Sequence, residues 1–369
     1  MEKTNDRVYF LDWLRVGALG LLILYHCDLP YVVRDWVARS AHEVDGHSWI
    51  GALISDWQMA LLFLVAGAAM RFSTGRDGAL RAMADRMRRI SPAIALGLLA
   101  LAPIQAACAR AAGLDISGLA EGHRLFQHVW FLPFLLTYAT LAACIAWAAP
   151  SVSDRIGALF ERATRGVGAL AAPMLFLVAG AVVSAQIPRT YAIWNDIGGH
   201  LKYAGLFAIG FYAGASLWAR FEAHRREALV VFAVAMLARL AIDGAAHQTA
   251  EFAVAAVCGA MTIVALCGYG RRLVNRNSPL LRALNRAVMP IYLLHQPVLA
   301  IAMLGLAPLA LGEPMERVAL IALTALGSWS VYRALDASSL RLLLGLSAPP
   351  RPSEGRGLPA YAGLRAAGD

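Results

Sequence analysis

The sequence predicts an all-α membrane protein of about ten transmembrane helices. Of its 369 residues, 59% are hydrophobic and only 15% are charged, whereas a soluble domain has roughly 25% charged residues. Apolar runs long enough to cross a bilayer recur along the chain, separated by short segments that contain arginine. This composition and spacing exclude a soluble globular domain.

Ten apolar segments of about one bilayer crossing each can be counted. They cover residues 10–30, 50–70, 91–110, 128–148, 167–187, 200–218, 228–244, 251–269, 284–307 and 317–334. The seventh and eighth are short for a crossing. We assign residues 1–347 to one membrane domain. Residues 348–369, rich in Pro, Gly and Ala, are predicted to be a disordered cytoplasmic tail.

The distribution of basic residues predicts the orientation. Of the 33 lysines and arginines, 23 fall between segments on the side that also holds both termini, and six fall on the other side. The positive-inside rule then places both termini in the cytoplasm. We expect the protein to be integral to the bacterial inner membrane. The same rule explains the net charge of +9, and no nucleic-acid-binding motif is present.

The first segment carries ionisable residues on one helical face. At 100° per residue, Arg15 and His26 lie within about 20° of each other, and Asp12 and His26 within about 40°. Charged groups inside a membrane are costly and by default mark a functional path. The alternative interpretation is that these residues form no site. Two of them near the helix end would extend their side chains to the membrane interface, and the histidine would only make hydrogen bonds within the fold.

Further polar residues are predicted near the outer ends of other segments. They are Asp56 and Gln58 in the second, His128 and Trp130 in the fourth, and Tyr292, His295 and Gln296 in the ninth. Pro290 and Pro297 predict a break or kink in the ninth segment, which would free backbone groups to line a cavity.

The inner side carries an arginine cluster around the start of the third segment. Its members include Arg71, Arg86, Arg88 and Arg89. Positive-inside bias accounts for such a cluster by itself. At the mouth of a cavity, the same guanidinium groups would bind phosphates.

Metal and thiol chemistry are not indicated. The five cysteines include no CxxC pair, and His26, His128, His200 and His295 have no metal-ligand spacing. Cys27, beside His26, is the alternative nucleophile, but adjacent helical residues point about 100° apart. The sequence has no P-loop, GxSxG or HExxH motif.

Five stretches resemble acyltransferase family 3, a family of integral membrane proteins. They are YFLDWLR at 9–15 with His26 eleven residues after Arg15, LLFLVAGAAMRF at 61–72, RMRRISPAI at 86–94, HVWFLPFLLTY at 128–138 and IYLLHQPV at 291–298. The first, fourth and fifth are most similar to a branch that modifies glucans, the branch of glucans biosynthesis protein C. The second departs from the family pattern, with Ala66-Gly67 in place of Ser-Gly.

The resemblance implies transfer of an acyl group, of the acetyl or succinyl class, from cytoplasmic acyl-coenzyme A to a hydroxyl of a periplasmic or extracellular glycan. It implies that His26 is catalytic, that Arg15 is its partner in an Arg-His motif, and that arginines before the third helix bind the donor. Acyl-coenzyme A is then a co-substrate, with no tightly bound cofactor.

The residues themselves favour His26 as the general base, with Asp12 and Arg15 on the same face. We expect Asp56, Gln58, His128, Trp130, Tyr292, His295 and Gln296 to orient the acceptor or stabilise the oxyanion. Arg15 is too far along the helix to touch His26. A covalent acyl-histidine is the alternative route. A transporter that uses the same polar residues as a path is the alternative function, and a sensor without turnover is a third.

Overall fold

The structure is a computed structural model that describes residues 8–33, 36, 38–42, 49–114, 127–242 and 246–346. Within these residues it is a bundle of helices without β-strands, so the predicted all-α fold is confirmed. The predicted tail at 348–369 lies outside the described residues.

The described residues form α-helices of 6 to 28 residues. They are α1 (Tyr9–Val32), α2 (Trp49–Ile54), α3 (Gln58–Asp77), α4 (Ala79–Leu96), α5 (Ala102–Ala111), α6 (Phe131–Ala148), α7 (Pro150–Ala163), α8 (Gly168–Gln186), α9 (Ile197–Tyr212), α10 (Ser216–Ala223), α11 (Arg225–Ala241), α12 (Gln248–Leu273), α13 (Pro279–Leu306) and α14 (Glu313–Asp336). A π-helical turn, Gly97–Leu101, joins α4 to α5, and 3₁₀ turns cover Gln127–Trp130 and Ser339–Leu344.

Eight helical stretches in the described part of the chain are long and apolar enough to span a membrane. The sixth and seventh predicted segments form α9 and α11, which have 16 and 17 residues. The third predicted segment begins earlier than expected, because α4, the π turn and α5 form one stretch of 33 residues, Ala79–Ala111. Gly78, with φ of 83°, allows the sharp turn from α3 into α4.

Close helix crossings hold the centre of the bundle. A Cβ atom on Gly67 of α3 would collide with the carbonyl oxygen of Phe207, and one on Gly210 of α9 with that of Leu64. The two helix backbones are therefore in contact, as small residues permit in membrane bundles. The close crossing therefore requires glycine at position 67. This requirement does not depend on whether alanine or serine occupies position 66.

Two helices that carry predicted site residues lie side by side. α1 packs against α13, and α13 is the candidate span with the largest buried share. α13 runs unbroken from Pro279 to Leu306 through Pro290 and Pro297, so the predicted break is absent. Pro297 has no backbone N–H for the carbonyl of Leu293, and that oxygen instead accepts a hydrogen bond from His128 Nε2 at 2.9 Å.

The crossing of α3 and α9 makes a stability prediction. Gly67→Ala should lower the melting temperature of the detergent-purified protein, because overpacking of this kind costs about 1–3 kcal/mol. Gly75→Ala in the same helix is the matched control, since a Cβ there meets nothing within 4 Å. We expect the control to melt at or above the wild-type temperature, because alanine favours a helix over glycine. Equal melting temperatures for both variants would contradict the close crossing.

Candidate active site

A cavity of about 840 Å³ lies between α1, α3, α4, α6 and α13. At its basic end, the end of the bundle where α3 turns into α4, the charged lining residues are Asp12, Arg15, Arg76, Asp77, Asp85, Arg86, Arg89, Arg282 and Arg286. Its walls are largely apolar and include Leu19, Leu22, Leu62, Phe131 and Tyr292. The cavity thus joins a positively charged mouth to an apolar interior.

Two of the four predicted donor-binding arginines line the cavity, and two do not. Arg86 and Arg89, three residues apart on one face of α4, both line the cavity. Arg88 is exposed and pairs with Asp85 at 3.2 Å. Arg71 is exposed on α3, with its guanidinium 5.9 Å from the Phe211 ring centroid. Neither of these two belongs to the cavity lining.

Positive charge exceeds negative charge in the cavity. Arg15 lies 3.5 Å from Asp12 and donates to Asn285 Oδ1 at 3.4 Å, and Asn285 in turn donates to Asp12 at 3.2 Å. Arg86 and Arg89 form no ion pair or side-chain hydrogen bond with any residue in the described ranges. Two uncompensated guanidinium groups beside Arg15 favour binding of an anion.

A histidine pair lies farther along the same two helices. His26 Nδ1 on α1 is 3.2 Å from His295 Nε2 on α13, and the ring centroids are 4.9 Å apart. His26 Nδ1 also lies 3.0 Å from the carbonyl oxygen of Leu22. His295 is fully buried, and its Nδ1 lies 2.7 Å from the carbonyl oxygen of Tyr292. The structure therefore joins two residues that are 269 positions apart in the sequence.

Hydrogen-bond chemistry assigns the protons of this pair. A carbonyl oxygen can only accept, so His295 Nδ1 carries its proton toward Tyr292, and the neutral ring keeps its lone pair on Nε2. His26 Nδ1 then faces two acceptors, Leu22 O and His295 Nε2, and carries the proton. The lone pair of neutral His26 is consequently on Nε2, the nitrogen that a general base needs free.

His128 is occupied by structural contacts. Its Nε2 donates to the Leu293 carbonyl, its Nδ1 accepts from Gln105 Nε2 at 3.0 Å, and its own carbonyl accepts from the Tyr292 hydroxyl. Both ring nitrogens are therefore used, and the ring holds the start of α6 against α13. Its predicted role beside the acceptor receives no geometric support.

The other predicted polar residues are dispersed. Asp56 pairs with Arg239 at 3.0 Å, and buried Gln58 donates to the Ala18 carbonyl at 2.5 Å. Gln296 is buried on α13 next to His295. Trp130 lies with its ring centroid 5.4 Å from that of Tyr203. Asp56 and Gln58 thus secure the helix packing, while Trp130 belongs to an aromatic cluster.

Sequence reasoning missed that cluster and one cavity residue. The guanidinium of Arg189 lies over the rings of Trp130, Tyr191 and Tyr203, at 4.2–5.5 Å from their centroids. No spacing in the sequence connects these residues, which come from three separate segments. Asn285 could have been found, because it precedes Tyr292 by seven residues and so shares its helical face.

The cavity stops short of the histidines. Leu22 and Tyr292 line it, and they precede His26 and His295 by four and three residues, but neither histidine belongs to the lining. A molecule whose anionic part is held by Arg86 and Arg89 would need a narrow extension to reach His26. The site therefore suits a substrate with a charged head and a long thin arm.

The hydrogen bond between His128 and the Leu293 carbonyl, which Pro297 leaves without its helical N–H, makes a prediction about energetic coupling. His128→Phe should destabilise the protein by about 1–3 kcal/mol, because the Leu293 carbonyl loses its partner. Pro297→Ala restores a backbone N–H to that carbonyl, so the double variant should lose less than the sum of the single losses. The four free energies of unfolding, measured in detergent, check this. Strictly additive losses would refute the contact.

The chain matches a known protein family over most of its length. The profile of the acyltransferase domain of acyltransferase family 3 matches residues 8–333, which is most of the chain. No curated protein and no solved structure matches the chain. The matched region contains every arginine that lines the cavity and both members of the histidine pair. The chain therefore belongs to acyltransferase family 3, and it is an integral membrane protein that transfers acyl groups.

Proposed function

We propose that this protein transfers an acyl group, of the acetyl or succinyl class, from cytoplasmic acyl-coenzyme A to a hydroxyl of a glycan on the outer side of the bacterial inner membrane. The proposal assigns the basic end of the cavity to the cytoplasm, where the positive-inside rule places the arginine-rich connections. The resemblance to the glucan-modifying branch supports a glucan as the acceptor.

The observation that carries the donor assignment is the uncompensated charge of the cavity. Coenzyme A has a phosphorylated nucleotide head, and arginine binds phosphate through paired, permanently charged donors. Arg86 and Arg89 line the mouth without acidic partners in the described part of the chain. Arg15 and His26 are roughly 16 Å apart along α1. We assign the thin pantetheine arm to the apolar part of the cavity, which Leu22 and Tyr292 line.

The chemistry assigned to His26 follows from its proton arrangement. Nε2 removes the proton of the acceptor hydroxyl while the oxygen attacks the thioester carbonyl carbon. When the carbon–sulfur bond breaks, the leaving coenzyme A sulfur takes the proton back from Nε2. The new carbon–oxygen bond completes the ester, and His26 returns to its neutral state.

The aromatic cluster around Arg189 supports an acceptor on the opposite side from the donor. Tyr25 lies next to His26 in sequence, with the two ring centroids 5.2 Å apart, and Trp130, Tyr191 and Tyr203 surround the Arg189 guanidinium. Aromatic faces with polar edges suit the apolar faces and hydroxyl groups of sugars.

The transporter alternative has less support. It requires a broken ninth segment as a gate, and α13 is continuous through both prolines. The family match and a free Nε2 lone pair on His26 both favour catalysis.

An acyl-histidine intermediate would use the same nitrogen as a nucleophile, and intact-protein mass spectrometry after acyl-coenzyme A addition distinguishes this route from general-base catalysis.

The donor assignment predicts a selective binding defect. The double variant Arg86→Gln with Arg89→Gln should raise KM for acyl-coenzyme A, because neutral glutamine cannot replace paired guanidinium–phosphate bonds. KM for a short acyl thioester that lacks the nucleotide should stay unchanged, since that contact is absent from it.

Arg88→Gln is the matched control for this measurement. Arg88 lies between the two residues in sequence but points away from the cavity. Steady-state release of free coenzyme A should be close to wild type in this variant. If KM rose equally for acyl-coenzyme A and for the short thioester in the double variant, Arg86 and Arg89 would not bind the nucleotide. They would then only set the orientation of the protein in the membrane.

The base assignment predicts a loss of kcat. His26→Ala should lower kcat about 10²- to 10⁴-fold, the typical contribution of a positioned base. His26→Gln keeps hydrogen-bonding capacity but takes up no proton at neutral pH, so it should be nearly as inactive. Thermal shift with a non-reactive coenzyme A analogue should show retained donor binding. An active His26→Gln enzyme would overturn the mechanism.

A further inference from the structure

We propose that His295 is the positioning residue of the reaction, a neutral hydrogen-bond acceptor that holds His26 in the reactive tautomer and shares its positive charge when His26 takes up a proton. This inference rests on the proposed function for its catalytic consequence, but its structural part can be tested without turnover. It assigns His295 a role different from contact with the substrate.

His295 is anchored by its own helix. Its ring is fully buried, and its Nδ1 lies within 2.7 Å of Tyr292 O and 3.2 Å of Ile291 O. Both oxygens are acceptors on the preceding turn of α13, so the ring is held in one tautomer. The nitrogen left over is Nε2, and it is directed at α1.

The neighbour of His295 Nε2 on α1 is a ring nitrogen. His26 Nδ1 lies 3.2 Å away, and a lone pair that faces a ring nitrogen requires that nitrogen to carry the proton. The other acceptor near His26 Nδ1, Leu22 O, is the carbonyl that also accepts the backbone N–H of His26 in an α-helix. His295 is therefore the partner with an otherwise unused lone pair.

Among the described residues, neither a carboxylate nor His128 takes the place of His295. A carboxylate normally orients a catalytic histidine, but neither His26 nor His295 hydrogen-bonds to a carboxylate within the described chain. Asp28, two residues after His26, is instead paired with Arg317 at 2.6 Å. His128, with its ring 5.9 Å from that of His295, has both nitrogens occupied.

The proton balance of the step is simple. The acceptor hydroxyl gives its proton to His26 Nε2, and the ring becomes an imidazolium whose Nδ1–H bond to His295 Nε2 strengthens. Throughout the step, His295 Nδ1 keeps its proton and donates a hydrogen bond to Tyr292 O. Release of the Nε2 proton to the coenzyme A sulfur restores the starting arrangement, so no further reactant is needed.

Two amide substitutions separate this role from simple packing. In His295→Gln the side-chain carbonyl can occupy the position of Nε2 and accept from His26, while the bond to Tyr292 is lost. In His295→Asn the amide N–H can occupy the position of Nδ1 and keep the bond to Tyr292, while the acceptor for His26 is lost. If His295 has only a structural role, His295→Asn should retain more activity than His295→Gln. If His295 positions His26, His295→Gln should retain more.

The kinetic test compares the two variants by coenzyme A release, using the acyl-coenzyme A that the wild type turns over fastest among acetyl- and succinyl-coenzyme A. His295→Asn should lower kcat roughly 10- to 100-fold, the value of a hydrogen bond to a charged group. Its KM for the donor should not change. His295→Gln should recover most of kcat. Better activity in Asn than in Gln would overturn the proposal.

The second readout is independent of turnover. In ¹⁵N-histidine-labelled protein, the His26 ring signals are identified by their loss in His26→Gln, and protonated and lone-pair nitrogens have distinct shifts. Wild type should show a protonated Nδ1 and a lone pair on Nε2. His295→Asn should shift the signals toward the Nε2-protonated form, and His295→Gln should not. An unchanged His26 spectrum in His295→Asn would refute the pairing.

His224→Asn is the control, because this histidine ends α10 and makes no contact with either member of the pair. Neither kcat nor the His26 signals should change in it. If wild type released no coenzyme A from any donor, the proposed function would fail, while the spectra would still decide the pairing of His295 with His26.

Discussion

The arrangement of this site depends on a constraint of the membrane interior, where each backbone polar group needs a partner inside the protein. Pro297 removes the N–H that would satisfy the Leu293 carbonyl, and His128 supplies a replacement. The Tyr292 hydroxyl returns a bond to the His128 backbone, so the start of α6 and α13 are locked together at this level. This lock places His295, two residues before the proline, against His26 on α1.

The lock also explains why two similar histidines have different properties. His128 has both ring nitrogens occupied by protein groups, while the described contacts of His26 involve Nδ1 alone. His128 is buried and His26 is half-buried, but this difference does not decide which ring can act as a base. The free nitrogen does, because proton transfer needs a lone pair that the protein has not already used.

Local periodicity made a large part of the fold and site predictable. The helical period placed Asp12, Arg15 and His26 on one face, and the same rule separates Arg86 and Arg89 from Arg88 on α4. The all-α fold followed from apolar runs of bilayer length. What local rules could not supply was contact between distant segments, above all the pairing of residues 26 and 295. Of the break or kink predicted at the prolines, the break is absent, and the partner that takes up the Leu293 carbonyl, His128, lies on another segment.

The arginines of the basic end and the histidine pair lie at separate places along the bundle. The uncompensated arginines lie at the basic end, and the histidine pair lies beyond Leu22 and Tyr292, outside the cavity lining. An arginine placed beside His26 would disfavour the imidazolium by like-charge repulsion, whereas neutral His295 accepts its hydrogen bond without adding charge. A substrate with a phosphorylated head and a long neutral arm satisfies both requirements at once. Under the proposed function, the length of α1 between Arg15 and His26 therefore selects the donor by the distance between its charged head and its thioester, whichever acceptor it meets.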